Sequence, residues 1–210
     1  NYYTYLYHCL NGKGFVFSGM NYPFHEHVSF SDNQPLLAVP LSYLNTVLHL
    51  NINDYIIIMN IIIPLGFIFS SFILFKLFLK LNVNGYIASL TSLLIISLSP
   101  NLFRIFGHFG MSYSFFIVGS MYLVFSYFIS PKNKYIFFLY ILIFSVAFLH
   151  IYDFAISSII TITMCIGYLI TNKNNLKENF LRVMPLLIAM LMSLISFKLL
   201  MYFTDDVIDR

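Results

Sequence analysis

The chain has 210 residues, of which 60% are hydrophobic and only 9% charged, with a formal net charge of +3. Soluble domains carry about 25% charged residues, so these values exclude an ordinary soluble enzyme and point to an all-α integral membrane protein. The basic residues are dispersed through short segments between apolar runs, which excludes a nucleic-acid-binding patch and fits a protein marking one face of a membrane.

The first 54 residues do not form a span. Residues 1–14 are polar and aromatic, with no basic region leading into an apolar run, so no cleavable signal is visible. The chain starts at Asn1 without Met and ends at Arg210 without a closing element, and it reads as a segment of a longer protein. Gly12, Gly14 and Gly19 punctuate this part, and the short stretches Phe15-Val16-Phe17 and Val28-Ser29-Phe30 suit a small hairpin. Asp32-Asn33 followed by Pro35 reads as a helix start, because Asp or Asn can cap and Pro suits the first turn. Residues 35–49 then carry apolar positions at helical spacing, as expected of an interfacial helix on the outer membrane surface, bent at Pro40.

A hydrocarbon core of roughly 30 Å needs about 20 apolar helical residues. About six stretches approach that length: 55–75, 85–103, 111–130, 135–151, 154–171 and 183–203. Tyr152-Asp153 alone separates the fourth from the fifth, which predicts a tight helical hairpin. Asn60 and Pro64 are expected to mark a kink in the first, and Lys198 is placed to snorkel from the end of the last. Cys9 and Cys165 lie in different settings and are not expected to pair.

The connections alternate in charge. Lys76, Lys80, Lys132, Lys134, Lys173, Lys177 and Arg182 fall on one side, whereas all six histidines and seven of the eight acidic residues fall on the other. Cytoplasmic loops carry the Lys/Arg excess. Residues 1–54 and the tail at 204–210 are therefore expected outside the cytoplasm. The abundance of Ile, Phe, Tyr, Asn and Lys, with no Trp and three Arg, fits an AT-rich bacterial genome and hence a bacterial inner membrane.

Three outer segments concentrate polar chemistry. The first holds His25, Glu26, His27 and Asp32. A carboxylate near membrane level can act as a general base, because desolvation moves its pKa toward the working range. His and carboxylate side chains together could also hold a divalent cation, although no third ligand is identifiable; Asp32 could equally serve as the helix cap. The second holds Arg104 and His108, four apart and on one face if helical. Arg suits phosphate through its planar fork, or it could simply anchor a helix end to headgroups. The third holds His150 and Asp153, in a turn too short to rise far from the membrane. Ionisable groups there face a cavity or a partner, so they could bind substrate or pair with each other or with Arg104.

The run Tyr22-Pro23-Phe24-His25-Glu26-His27, followed by Asp32-Asn33-Gln34-Pro35-Leu36-Leu37, resembles a motif of uncharacterised bacterial members of the GT-C class of polytopic membrane glycosyltransferases. Gly107-His108-Phe109-Gly110 and the His150 turn are similar to those proteins as well. The resemblance implies a GT-C-like bundle. It would transfer a sugar from a polyprenyl-phosphate donor to an envelope glycan or lipid acceptor on the outer face, among membrane lipids. Asp32 or Glu26 would be the base, Arg104 and His108 would hold the lipid phosphate, and His25, His27, His150 and Asp153 would complete substrate binding. The class also carries a span before the outer loop, often with another carboxylate. A transporter or flippase subunit without catalytic activity is the alternative; it would place polar residues near the bilayer midplane. An assembly subunit with no site is a third reading.

Overall fold

In the computed structural model, residues 2–12, 14–20, 25–31, 33–106 and 112–205 are described, with the backbone alone at 105 and 106. Among them the structure is helical except for one two-stranded hairpin. An N-terminal segment comprises α1 (Tyr2–Asn11), β1 (Val16–Phe17), β2 (Glu26–His27) and α2 (Pro35–Leu48). A bundle follows, made of α3 (Ile52–Lys80), α4 (Gly85–Ser97), α5 (Phe115–Ile129), α6 (Asn133–Leu149), α7 (Ile151–Thr171) and α8 (Leu176–Thr204).

The bundle helices lie where the apolar runs place them. Four segments are long and apolar enough to cross a membrane: Ile52–Lys80, Gly85–Arg104, Ile151–Thr171 and Lys173–Thr204. They expose Ile57, Ile61, Leu65, Phe72, Leu90 and Ile159, as a lipid-facing surface requires. Helices α5 and α6 are shorter, at 15 and 17 residues. Helix α5 packs against α3, α6 and α7, and α6 packs against α7 and α8. Buried small residues let these backbones approach closely, as is usual in membrane bundles. Gly119 is one: a Cβ there would overlap the Leu142 side chain. The Ser193 hydroxyl of α8 reaches the Tyr140 carbonyl of α6 at 2.9 Å, and Tyr140 Oη meets Ser196 Oγ at 2.9 Å.

Several local readings are corrected. Helix α3 begins before Tyr55 because Asn51 and Asp54 form a capping box: Asn51 Oδ1 accepts from the N–H groups of Asn53 and Asp54, and Asp54 Oδ2 accepts from the Asn51 N–H at 2.9 Å. It continues unbroken through Pro64. The expected hairpin forms, but β1 pairs with Glu26-His27, in register Val16↔His27 and Phe17↔Glu26. Val28–Phe30 is instead a 3-10 turn, started by the His27 ring, which accepts from the Ser29 N–H.

Helix α2 starts at Pro35 as expected, but its cap is Gln34 in the left-handed region (φ 56°), without a side-chain cap bond. Asn33 does not cap it; Asn33 is fully buried, with neither amide atom hydrogen-bonded. Asp32, the other candidate cap, lies outside the described residues. The α6–α7 break falls at His150, not at Tyr152-Asp153, both of which belong to the first turn of α7. The extended His150 backbone ends one helix, and its Nδ1 caps the next by accepting the Tyr152 N–H at 3.3 Å. Both cysteines are free and buried.

The N-terminal segment covers one end of the bundle. Tyr5, Cys9 and Ala38 form one buried cluster with Tyr55 and Met59 of α3, Tyr113 and Phe116 at the start of α5, and Val146 and Leu149 at the end of α6. The cations Lys76, Lys80, Lys134 and Arg182 belong to the opposite end. There Lys80 lies over Tyr122 and Lys134 over Tyr135, and Arg182 donates to the Phe128 carbonyl at 2.7 Å beside Tyr168. The charge split read from the sequence is thus a physical separation of the two ends of one bundle.

Candidate functional site

The covered end is where the candidate residues lie, and α7 provides its most informative one. Asp153 sits in the first turn of α7, where the exposed N–H groups of a helix favour a carboxylate. It is only 3% exposed, and its Oδ2 has no hydrogen-bond partner. Buried carboxylates are costly unless something answers their charge. Arg104 does so: it lies within electrostatic reach of Asp153, on the 3-10 turn Pro100–Phe106 that follows α4. Asn101, Arg104, Tyr152, Asp153 and Ile156 line one cavity of about 350 Å³. Asn101 is held on its wall by donating from Nδ2 to Ser114 Oγ at 3.0 Å, which ties the α4–α5 connection to the start of α5.

The second and third outer segments therefore converge. His150 stands next to this cavity rather than in its lining: its ring packs on Tyr152 with centroids 5.1 Å apart, and its Nδ1 is occupied as the α7 cap. Its place is to orient the turn that carries Tyr152 and Asp153. His108 lies outside the described residues, as does Asp32.

The first segment docks beside them by a different device. His27 is buried in β2. Its Nδ1 faces the Ser29 N–H and so carries no proton, while Nε2 lies 2.9 Å from Thr204 Oγ1 at the end of α8. The Thr204 hydroxyl donates to the Leu200 carbonyl at 2.7 Å, so Nε2 carries the proton and donates to Thr204. Both His27 ring nitrogens are thus committed to the fold. Phe15 stacks on its ring (5.8 Å, 5°) and meets Phe148 of α6 at 6.4 Å. His25 precedes the strand with φ 61°, so the two histidines do not project from one extended strand as the sequence suggested. Among the described residues no three His, Cys, Asp or Glu side chains gather around a common point. Among the described residues, then, His25 and His27 have no third ligand for a divalent cation. Glu26 is half-buried on the hairpin opposite Phe17.

Sequence reasoning passed over a second group of buried polar residues, in and against the N-terminal segment. His8 is fully buried and donates from Nε2 to the Gly14 carbonyl at 3.0 Å, where Gly14 takes a φ of 64°. Burial holds the His8 imidazole below its ordinary pKa, against the Gly14 hydrogen bond. Burial also pushes the Cys9 thiol up to about 12, opposed by its contact with Tyr5. Tyr113 donates to Gln34 Oε1 at 2.8 Å. The spacing of Tyr2, Tyr5, Leu6 and Cys9 was the available signal for α1, since i, i+3, i+4, i+7 is a helical face.

Residues 14–207 match the family described as a domain of unknown function, DUF6311. The chain belongs to that family. No protein of curated function and no solved structure matches it.

Proposed function

We propose that this DUF6311 protein is a GT-C-type glycosyltransferase of the bacterial inner membrane. It would have six spans and its covered end would face outward. In this reading it transfers a sugar from a polyprenyl-phosphate donor to an envelope glycan or lipid acceptor. The observation that carries the reading is one cavity, at the end of the bundle richest in His and acidic residues, lined by both Arg104 and the buried carboxylate of Asp153. An arginine is suited to grip a phosphate by two parallel hydrogen bonds, and a carboxylate is suited to accept hydrogen bonds from sugar hydroxyls. Helices α5 and α6 would cross as the third and fourth spans, shortened where the N-terminal segment caps them. The seven cations of the opposite end would face the cytoplasm, and α2 would lie along the outer surface through Tyr43, Leu44, Val47 and Leu48, which are exposed.

In the transfer step the acceptor oxygen forms a bond to the anomeric carbon as the bond from that carbon to the phosphate oxygen breaks. The electron pair leaves with the phosphate, whose growing charge the Arg104 guanidinium stabilises, with His108 as its partner. The acceptor hydroxyl gives its proton to a carboxylate, Glu26 or Asp32. The test is transfer by Glu26→Gln and Asp32→Asn variants in membranes. Loss of transfer with normal insertion supports the reading, and wild-type rates in both would remove it.

A transporter remains the competing reading. The unpartnered hydroxyls of Ser157 and Ser158 below Asp153 on α7 favour it. Solute-dependent current or uptake requiring Asp153 would decide for it.

A further inference from the structure

Two helices of this fold start on residues whose side chains do not cap them. Gln34 stands at the start of α2 and Ser114 at the start of α5, and neither makes a side-chain cap bond. A serine in that position usually accepts from a backbone N–H of its own first turn. Here Ser114 Oγ accepts instead from Asn101 Nδ2 at 3.0 Å, and Gln34 Oε1 accepts from the Tyr113 hydroxyl at 2.8 Å. The two diverted bonds meet at adjacent residues. Tyr113 and Ser114 are both buried, and their carbonyls accept the N–H groups of Phe116 and Val118 at 3.3 and 3.1 Å. They are thus fixed together in the first turn of α5.

The Tyr113 ring has little room to shift. Gly66 of α3 faces it, and a Cβ there would lie 3.3 Å from Tyr113 Cδ1. Phe115 meets the ring edge-on at 6.1 Å, and Tyr5, Tyr55 and Met59 share its buried cluster. Gln34, its partner, is held at φ 56° while its carbonyl accepts from the N–H groups of Leu37 and Ala38 at 2.9 Å. A non-glycine residue at positive φ is uncommon and persists where surrounding contacts over-determine it. At the far end of these bonds is the cavity: Asn101 and Arg104 lie on one 3-10 turn, Pro100–Phe106, and both line the space beside Asp153. We infer that Tyr113 is a positioning residue, which transmits the docking of the N-terminal segment at Gln34, through Ser114 and Asn101, to the turn that carries Arg104. The cavity takes its shape only when that segment is seated. That arrangement holds whatever molecule the cavity takes, and so goes beyond the glycosyltransferase reading.

The experiment uses the whole chain in nanodiscs, with Cys9 and Cys165 replaced by alanine and a nitroxide attached at Leu102→Cys. Leu102 is exposed on the same turn as Arg104, so the label's spectrum reports the motion of that turn. Tyr113→Phe keeps the ring and loses the donor, and Gln34→Met loses the acceptor at similar length. Each should shorten the label's correlation time about twofold or more, as a fixed turn becomes a loop moving on the nanosecond scale. The double variant orphans no polar atom, so its stability should return toward wild type while the label stays as mobile as in either single variant. Ser114→Ala cuts the link beyond Tyr113. It should free the label while hydrogen exchange at Leu37 and Ala38 keeps its wild-type rate, whereas Tyr113→Phe should accelerate exchange at both. A wild-type spectrum in the double variant would make the pair a matter of stability alone and overturn the inference. An immobile label in Ser114→Ala, folded by circular dichroism, would overturn it as well.

Discussion

The two ends of the bundle carry polar residues of opposite kinds and use them differently. At the basic end, Lys80 and Lys134 lie on tyrosine rings and Arg182 is held by a backbone carbonyl; these cations anchor helix ends. At the covered end, polar groups are buried under an N-terminal segment, and several are left without partners, among them Asp153 Oδ2, the Asn33 amide and the Gln34 Nε2. Unpartnered buried polar atoms are expensive. Of these, Asp153 lines the Arg104 cavity. The comparison teaches that the charge split marks two polar environments: cations resting on rings and a carbonyl at one end, and buried groups under the N-terminal segment at the other.

The strongest way to break this contrast is to remove Arg104. Arg104→Ala should lower kcat/KM for sugar transfer by about 100-fold or more, the typical effect of deleting one donor that stabilises developing charge, with little change in thermal stability. Lost folding without lost catalysis would make Arg104 an anchor like Arg182.

Next in size is the latch. His27→Ala removes the bonds to Thr204 and Ser29 and should cost about 1–3 kcal/mol of docking of the N-terminal segment. Hydrogen exchange would show this as faster exchange across residues 15–31. In the same variant the buried Cys9 thiol, held near 12 in the native protein, should react faster with maleimide at pH 8.

The third prediction concerns pH. Burial lowers the folded pKa of His8, so the unfolded segment binds a proton more readily than the folded one. Its contribution is complete above the unfolded value of about 6.5 and is lost as pH falls below it. Protection factors in α1, corrected for the intrinsic exchange rate, should therefore fall from pH 7 to pH 5, and His8→Gln should flatten that profile. The smallest effect belongs to the basic end: Lys80→Ala should cost about 0.5 kcal/mol, as a partly exposed cation over a ring, and leave transfer at the wild-type rate.

The bundle was legible because long apolar runs have one physical solution in lipid, and the charge alternation between them assigned every loop to an end. Boundaries were harder. The Asn51-x-x-Asp54 capping box carried a readable start signal three residues before the apolar run. His150 was hidden because Asp153 is the better cap by residue type, and only the backbone reveals that the histidine caps α7. Helix α1 escaped notice because its buried face is built from Tyr5, His8 and Cys9 rather than aliphatic residues. For the site, the sequence offered a pairing of Asp153 with Arg104 only as one alternative among several. Their convergence depends on how the α4–α5 connection packs on the start of α7, which no local pattern encodes. His27 was named for binding, and its role as a latch follows from a contact with Thr204, 177 residues away.

The most direct test of the central claim is sugar transfer from a radiolabelled polyprenyl-phosphate donor in proteoliposomes. Wild type would be compared with Arg104→Ala and Asp153→Asn, and with Lys80→Ala from the opposite end. The account predicts that both substitutions at the covered end abolish transfer while Lys80→Ala retains it. Transfer undiminished by Arg104→Ala and Asp153→Asn would contradict it.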